Sequence, residues 1–373
     1  GIFDDLAINP NQPSMGAYFT SPSAVNDAVM TMYGYMSTQR CLGASGSKTT
    51  IIRSDEASSN SDYGKPGMFG ADLNASYYTI EQPYTLMYTT ASQASYIIET
   101  APSVDFSGNE ELRNAYMGEA YFWRAFAHYY LLINFRNISP IRQMPRNGDD
   151  YVRPLEKPAA VWNFIQEDLA HAKELLPVKG YWDSKNAGRV TKASAAALLG
   201  KAYLYRSGIE QYYGEDKTTF YSEAAKEFGD VIDGKYGTYD LTKNYADNFD
   251  VAHENNEESI LEFQFLGDVD NAGFNPGLAT SGLAFDSRGL MLPGAGVGYE
   301  GVVHNWLYNA FVNSVDKDGY TDIRMFSTMI FNDLDASIHL RNDAGGNPVR
   351  LERMEKKDLL PCPILWHIHS KQV

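Results

Sequence analysis

Two stretches of the chain are apolar on nearly every side of the helix that each would form. Residues 114–135 (NAYMGEAYFWRAFAHYYLLINF) and 189–207 (RVTKASAAALLGKAYLYRS) consist mainly of small and aromatic residues. A helix without a polar face must be covered on several sides. Alanines such as Ala125 and Ala196 allow neighbouring backbones to approach closely while rings fill the remaining space. The pattern therefore predicts a stacked array of helices.

The second stretch and the residues after it match the helical hairpin of tetratricopeptide repeats. The matching residues are Leu199, Gly200 and Tyr203 in the first helix and Ala224 and Phe228 in the second. The separation between Tyr203 and Ala224 exceeds that of a regular repeat, so residues 208–219 are predicted to be an inserted loop. Repeat scaffolds of this kind expose an extended concave binding surface.

Hydrophobic periodicity predicts six helices before residue 235. Their predicted ranges are 22–38, 84–99, 114–135, 159–176, 193–206 and 220–233. Residues 43–82 are rich in Gly, Ser and Asn and lack a helical period, which predicts loop with short strands. Residues 258–266 alternate as a half-buried strand does, and residues 304–312 predict a short helix.

The predicted fold class is mostly α: a tetratricopeptide-like helical hairpin scaffold packed against a loop-rich lobe with short strands. We predict a single domain over residues 1–373. The helical scaffold takes residues 15–235, with a loop insertion at 43–82, and the loop-rich lobe takes residues 236–373.

Five blocks, in this order along the chain, closely resemble the SusD/RagB family of outer-membrane nutrient-binding lipoproteins. They are GEAYFWRAFAHYYLLINF (118–135), VWNFIQEDLAHAKELLP (161–177), GRVTKASAAALLGKAYLY (188–205), YDLTKNYADNFD (239–250) and NEESILEFQF (256–265). Two further segments are similar to the family, DDLAINPNQPS (4–14) and DKDGYTDIRMFST (316–328). Members of the family usually continue well beyond the equivalent of residue 330, so the tail at 330–373 is predicted to be atypical or incomplete.

Composition excludes some partners. The chain has 47 acidic and 31 basic residues and a net charge of −16, which disfavours nucleic acid. No run of about 20 apolar residues is present, and the start at Gly1 shows no signal region. Any export signal and lipidated cysteine are therefore expected upstream, and that lipid anchor is the only predicted membrane contact. Cys41 and Cys362 fit a free pair or a single disulfide equally well.

Motifs for catalysis or metal binding are weak. Residues 296–301 match G-x-G-x-x-G, but Pro293 stands where a strand should end, so a glycine loop is predicted. His367 and His369 lack further ligands at zinc-like spacing. Residues 316–319 resemble the start of a calcium loop without its closing Glu, which predicts a turn. No nucleophile motif or marked carboxylate pair occurs, so we predict no cofactor, no metal and no enzyme activity.

Aromatic residues are the remaining candidates for recognition, because the 26 tyrosines present flat apolar faces with a hydroxyl at the edge. Rings on the array helices are predicted to be core: Tyr121, Trp123, Phe126, Tyr203 and Phe228. Loop residues are predicted to bind ligand, and the resemblance implies ligand contacts from similar regions. These candidates are Asn74, Tyr77, Tyr78, Phe274, Phe285, Arg288 and Tyr299.

The resemblance implies a lipid-anchored protein on the outer-membrane cell surface. It would capture a polysaccharide or oligosaccharide and deliver it to a SusC-like TonB-dependent transporter, acting as that channel's lid. Three alternatives stay open: a peptide-binding member of the same uptake system, which the resemblance also allows, a tetratricopeptide-like scaffold that binds only protein, and a hydrolase.

Overall fold

A computed structural model describes residues 20–38, 40–43, 50, 53–58, 74–264 and 302–329. The α-helices in these ranges are α1 (Pro22–Ser37), α2 (Tyr78–Thr100), α3 (Glu110–Phe135), α4 (Pro158–Leu175), α5 (Lys192–Tyr213), α6 (Tyr221–Ile232), α7 (Asn305–Asn313) and α8 (Met325–Thr328). Two short strands, β1 (Ala57–Ser58) and β2 (Val302–Val303), pair antiparallel. The mostly helical fold class is confirmed.

The chain divides into two compact units, and each is built from separate segments. The described residues of the first unit lie within 20–36, 84–240 and 259–264. Those of the second lie within 37–58, 74–83, 241–258 and 302–329. The predicted single domain, with its division at residue 235, stays a prediction.

The core of the first unit is an array in which α3 packs on α4, α4 on α5, and α5 on α6. Glycines allow the close approaches. A Cβ added to Gly118 would lie 2.8 Å from Cγ of Leu176, and one added to Gly200 would lie 2.8 Å from the Phe228 ring. The array that the apolar stretches predicted is therefore present, and its seams are tight enough to require residues without side chains.

The predicted core aromatics differ in their burial. Trp123 is fully buried, but Tyr121, Phe126, Tyr203 and Phe228 are only half-buried. The half-buried rings lie along the seams between helices rather than beneath them. Tyr203, for example, stacks on Phe220 with ring centroids 5.5 Å apart.

Polar residues are also buried on the helices whose pattern looked apolar all round. The ionisable ones are Glu119, Arg124 and His128 on α3 and Arg206 and Glu210 on α5. Each has a charged or hydrogen-bonding partner outside its own helix. Isolated polar positions within an apolar stripe thus hold the array together by pairing across it.

Three predicted helix ends were wrong. Helix α3 begins at Glu110 rather than at residue 114, because the Asn109 side chain caps it by accepting from the Leu112 N–H. Helix α2 begins at Tyr78 rather than at residue 84, because Pro83 lies inside the helix instead of marking its start. Helix α5 continues to Tyr213, since Gly208 is an ordinary helical position and Gly214, with φ of 68°, ends the helix. The inserted loop is therefore shorter than predicted.

The strand predicted over residues 258–266 is absent from its described part, 258–264, which consists of a turn, bends and backbone without regular secondary structure. Its apolar residues are used differently. Ile260 packs against a cluster that includes Ala193, Val231 and Tyr236, and its carbonyl accepts a hydrogen bond from Oγ of Ser194 at 3.1 Å. The alternation therefore reflects one-sided packing on α5 rather than a ladder partner.

In the second unit, residues 316–320 form the predicted turn. The Gly319 N–H donates to the Asp316 carbonyl at 3.0 Å, and the Tyr320 N–H donates to the Asp316 carboxylate at 3.1 Å. Gly319 has a φ of 85°, which suits glycine. The Asp316 carboxylate thus serves the backbone of its own turn.

Candidate functional site

Two adjacent tyrosine rings lie at the start of α2. The ring centroids of Tyr77 and Tyr78 are 5.2 Å apart and their planes are inclined by 32°. Tyr78 is 39% exposed and Tyr77 is half-buried. The pair therefore presents a partly exposed aromatic surface, with hydroxyl groups at the ring edges, of the kind that suits a saccharide ring.

The turn before α2 sets the direction of this pair. The Asn74 side chain accepts a hydrogen bond from the Ser76 N–H at 3.0 Å, and the Asn74 carbonyl accepts one from the Tyr77 N–H at 3.1 Å. The Tyr77 carbonyl then accepts from the N–H groups of Ile80 and Glu81. Asn74 therefore acts on the backbone of the turn, while its predicted contact with ligand stays a prediction.

The other predicted site residues, Phe274, Phe285, Arg288 and Tyr299, lie outside the described residues, as do His367, His369 and the glycine motif at 296–301. Of the predicted set, the structure brings together Asn74, Tyr77 and Tyr78, which are close in sequence.

Trp306 is an exposed aromatic residue that the sequence reasoning did not select. Its Nε1 donates to the Asp55 carbonyl at 2.6 Å, and the His304 N–H donates to the Glu56 carbonyl at 2.9 Å. These bonds continue the β1–β2 pairing and fix the first turn of α7. The available sequence signal was a tryptophan next to Asn305 at the start of the predicted short helix.

Two of the blocks that carry the family resemblance hydrogen-bond to each other in the second unit. The Glu258 carboxylate accepts from the Thr242 N–H at 3.1 Å and from the Asn248 amide at 3.0 Å. The Asn256 side-chain amide donates to the side-chain Oδ1 of Asn248 at 3.1 Å. These bonds, that from Asn248 foremost, hold the pKa of Glu258 below its ordinary value. The carboxylate of one block therefore fixes the backbone at Thr242 and the side chain of Asn248 in the other block.

A buried ion pair joins two other blocks in the first unit. The Arg189 guanidinium donates to the Glu119 carboxylate from Nε at 2.8 Å and from Nη2 at 2.7 Å. The Tyr33 hydroxyl donates to the same carboxylate at 2.8 Å and accepts from the Val190 N–H at 2.9 Å. Burial raises the pKa of Glu119, and Arg189 opposes that rise. The group fastens α1 and the start of α5 to α3.

A second buried group surrounds Arg124. This residue makes two hydrogen bonds to the Asp168 carboxylate, at 2.7 and 2.8 Å. Beside it, His128 Nε2 accepts from the Ile141 N–H at 2.9 Å, so its Nδ1 donates to the Arg124 carbonyl at 2.8 Å. Burial lowers the pKa of His128 to about 3. The imidazole is therefore neutral and fixed in one tautomer, as a structural residue.

Residues 140–156, between α3 and α4, line a recess of about 620 Å³ in the first unit. Arg142 pairs with Glu156 at 3.0 Å, the Arg146 guanidinium pairs with Glu99 at 3.1 Å, and the Arg146 backbone N–H donates to the Asp150 carboxylate at 2.7 Å. These pairs stabilise the shape of the loop. Within the parts of the chain that the structure describes, no group of three or more acidic, His or Cys side chains is arranged to hold a metal ion.

The sequence model of a SusD-like family, described as "Starch-binding associating with outer membrane", matches residues 7–204. This covers more than half of the chain. The chain belongs to the SusD/RagB family. The match includes three of the five blocks on which the resemblance rested, together with the Glu119–Arg189 pair that links the first and third.

Curated relatives of this SusD-family chain are longer. A SusD-like protein of Bacteroides ovatus is 29% identical over 180 residues, 48% of this chain and 32% of the relative. SusD-like protein P2 of Formosa agariphila is 25% identical over 265 residues, 69% of this chain and 49% of the relative. The chain therefore spans about a third to a half of their lengths.

Solved structures of SusD-like proteins share the fold. A SusD superfamily protein of Bacteroides vulgatus has a TM-score of 0.66 at 22% identity, over 83% of this chain and 62% of that one. A laminarin-binding SusD-like protein has a TM-score of 0.61 at 22% identity, over 79% and 64% of the two chains.

No helix in the described segments is long and apolar enough to cross a membrane.

Proposed function

We propose that this protein is a non-enzymatic glycan-binding protein that is lipid-anchored at the cell surface. It captures a polysaccharide or oligosaccharide and delivers it to a SusC-like TonB-dependent transporter in the outer membrane. The observation that carries the proposal is the partly exposed Tyr77–Tyr78 ring pair on a SusD fold. The family description, starch-binding and associated with the outer membrane, supports both the ligand class and the location.

The surface that binds the glycan contains Asn74, Tyr77 and Tyr78, together with the loop residues Phe274, Phe285, Arg288 and Tyr299. The ligand is a neutral glucan. A SusD-like protein of the same fold binds laminarin, and the net charge of −16 disfavours polyanionic polysaccharides.

The glycan is bound weakly enough to be released to the transporter. Each stacked ring contributes about 0.5–1.5 kcal/mol and each hydrogen bond about 1 kcal/mol. A site of two or three rings and a few hydrogen bonds therefore has a dissociation constant of roughly micromolar to millimolar.

The test is calorimetric titration with maltohexaose, laminarihexaose, an oligouronate and a peptide mixture. Tyr77→Ala/Tyr78→Ala is expected to weaken glucan binding roughly 5- to 150-fold, the equivalent of losing two stacked rings. Tyr221→Ala removes a similarly exposed ring from α6 and serves as the matched control.

Other outcomes would redirect the proposal. Heat from peptides alone would favour the peptide-binding alternative. Glucan binding that is unchanged in Tyr77→Ala/Tyr78→Ala would retain glycan capture and move the site elsewhere. Reducing sugar released during the titration would contradict the non-enzymatic assignment.

A further inference from the structure

A second pair of tyrosine rings lies at the end of α5, in the first unit. Tyr212 is 83% exposed and Tyr213 is 54% exposed. Their ring centroids are 5.1 Å apart and their planes are inclined by 86°. Two perpendicular rings at this separation form a corner, whereas single exposed aromatic residues are ordinary on protein surfaces.

One ring of this pair rests on a fixed cation. The Arg136 guanidinium lies 3.7 Å from the centroid of the Tyr213 ring. It also makes two hydrogen bonds to the Glu210 carboxylate, at 3.1 and 2.8 Å. Glu210 is buried and accepts a third bond from Nε1 of Trp162 at 3.0 Å. The cation is therefore held by groups from α4 and α5 before any ligand arrives.

The backbone at Arg136 is strained in order to place this side chain. Arg136 follows the end of α3 with φ of 57° and ψ of −59°. The Asn137 N–H donates to the Phe135 carbonyl at 2.6 Å, which completes a γ-turn of the rare form with positive φ. Residues other than glycine in such conformations concentrate at functional sites.

A purely structural role accounts for only part of this arrangement. The Trp162–Glu210–Arg136 contacts join α3, α4 and α5 and explain why Arg136 is positioned. They do not explain Tyr212, because the ring contact that the structure shows for it is with Tyr213. An exposed ring at a right angle to a second ring has the form of a binding surface, and Tyr213, which packs on the held Arg136 guanidinium, has little conformational freedom to lose on binding.

We propose that Tyr212, Tyr213 and Arg136, here called the α5 platform, form a second saccharide-binding site that takes a neutral sugar ring. The proposal rests on glycan capture as the proposed function, and it adds a site separate from the Tyr77–Tyr78 pair. The C–H face of a pyranose stacks on one ring, and its hydroxyls bond to the tyrosine hydroxyls. Because Glu210 neutralises Arg136, the platform carries no net charge and does not select uronates or sulfated sugars.

The experiment compares two pairs of substitutions, alone and combined. Maltohexaose, laminarihexaose, an oligouronate and a peptide mixture are titrated into the wild type, Tyr77→Ala/Tyr78→Ala, Tyr212→Ala/Tyr213→Ala and the fourfold variant. Tyr212→Phe/Tyr213→Phe retains the rings without the hydroxyls, and Tyr221→Ala is the control for a lost exposed ring. Far-UV circular dichroism verifies that each variant is folded.

We expect Tyr77→Ala/Tyr78→Ala to retain binding of one neutral hexasaccharide, and the fourfold variant to weaken that residual binding at least tenfold. The glycan affinity of Tyr212→Phe/Tyr213→Phe is expected to lie between the affinities of the wild type and of Tyr212→Ala/Tyr213→Ala. The oligouronate is expected to give no heat of binding that depends on Tyr212 and Tyr213.

Four results would overturn the platform. If Tyr77→Ala/Tyr78→Ala removes all glycan binding, or if the residual binding survives in the fourfold variant, the platform is wrong while glycan capture stands. Peptide heat that depends on Tyr212 and Tyr213 would assign the surface to another ligand class. A wild type silent toward every saccharide would overturn both the platform and the proposed function.

Discussion

The change that tests the fold most directly is removal of the buried Glu119 carboxylate. It accepts three hydrogen bonds, two from Arg189 and one from the Tyr33 hydroxyl. The Arg189 side chain is only 4% exposed, so it cannot recover its lost partner by turning to water. In Glu119→Met, the Arg189 guanidinium keeps its charge, and two of its nitrogens lose their acceptor. The charged group would then have to remain buried in that state or force the helical array open.

The expected cost follows from that uncompensated charge. Breaking a buried ion pair by removing one partner costs about 3–5 kcal/mol. Asn26 and Asn186 still accept from Nη1 of Arg189, but Nε and Nη2 have lost their acceptor. In Glu119→Met/Arg189→Met no buried charge remains, so we expect a cost below about 2 kcal/mol, because well-packed apolar replacements of ion pairs are often close to neutral.

The assay is urea unfolding followed by tryptophan fluorescence and far-UV circular dichroism, with midpoints and m-values compared. The exposed Arg113–Glu110 pair supplies the control, and Glu110→Ala is expected to cost less than about 1 kcal/mol. If the effects of Glu119→Met and Arg189→Met add to within about 0.5 kcal/mol of the double variant, the two residues do not act as a unit and the reasoning fails.

Three other predictions concern packing, reactivity and pH. Gly200→Ala is expected to lower the free energy of unfolding in urea by about 1–3 kcal/mol, because its Cβ would lie 2.8 Å from the Phe228 ring. Adding Phe228→Leu should recover part of that loss, and an unchanged unfolding midpoint in Gly200→Ala would contradict the prediction. In a Cys362→Ser variant, Cys41 is expected to resist a thiol reagent until denaturant is added, since burial raises its pKa to about 12; fast native labelling would refute this. His128, whose pKa burial lowers to about 3, stays neutral when folded but is protonated below about pH 6.5 when unfolded. Stability should therefore fall as pH drops from about 6.5 towards 3, by up to about 1.4 kcal/mol per pH unit, more steeply than in His128→Gln; parallel pH profiles would count against it.

The helical array could be predicted because its signal is local. Small and aromatic residues along α3 and α5 require burial on several sides, whichever elements provide it. The helix ends were harder to place, since Gly208 and Gly214 look alike in sequence. Only Gly214 has the positive φ that ends α5.

The pairs that hold the array together could not be derived from local pattern. Glu119 and Arg189 are 70 positions apart, and no periodicity links a single acidic residue on one helix to a single basic residue before another. The family resemblance contained both residues within its blocks without explaining them. The structure supplies the explanation, because each is the other's counter-ion.

The residues of the candidate binding sites could likewise be predicted only where their proximity is local in sequence. Asn74, Tyr77 and Tyr78 were selected as loop residues, and their proximity follows from adjacency in sequence. Tyr212 and Tyr213 also lay in a predicted loop, residues 208–219, but outside the regions from which the resemblance implies ligand contacts. Their importance depends on Arg136, whose position at the end of α3 comes from a backbone conformation that no residue pattern encodes.

The discontinuous first unit also bears on the order in which the protein folds. Residues 259–264 complete that unit. The ring centroids of Phe263 and Trp123 are 5.8 Å apart, and Ile260 packs beside α5. A Cβ on Gly188 would meet the Glu262 carbonyl at 2.4 Å. A nascent chain that has reached residue 240 thus holds all four array helices while the surfaces for this strip are still uncovered. At about 5–20 residues per second, the strip follows within seconds, after residues 241–258 of the other unit. Synthesis of one unit therefore sets the moment at which the other can close, and a fragment ending at residue 240 should expose those apolar surfaces permanently.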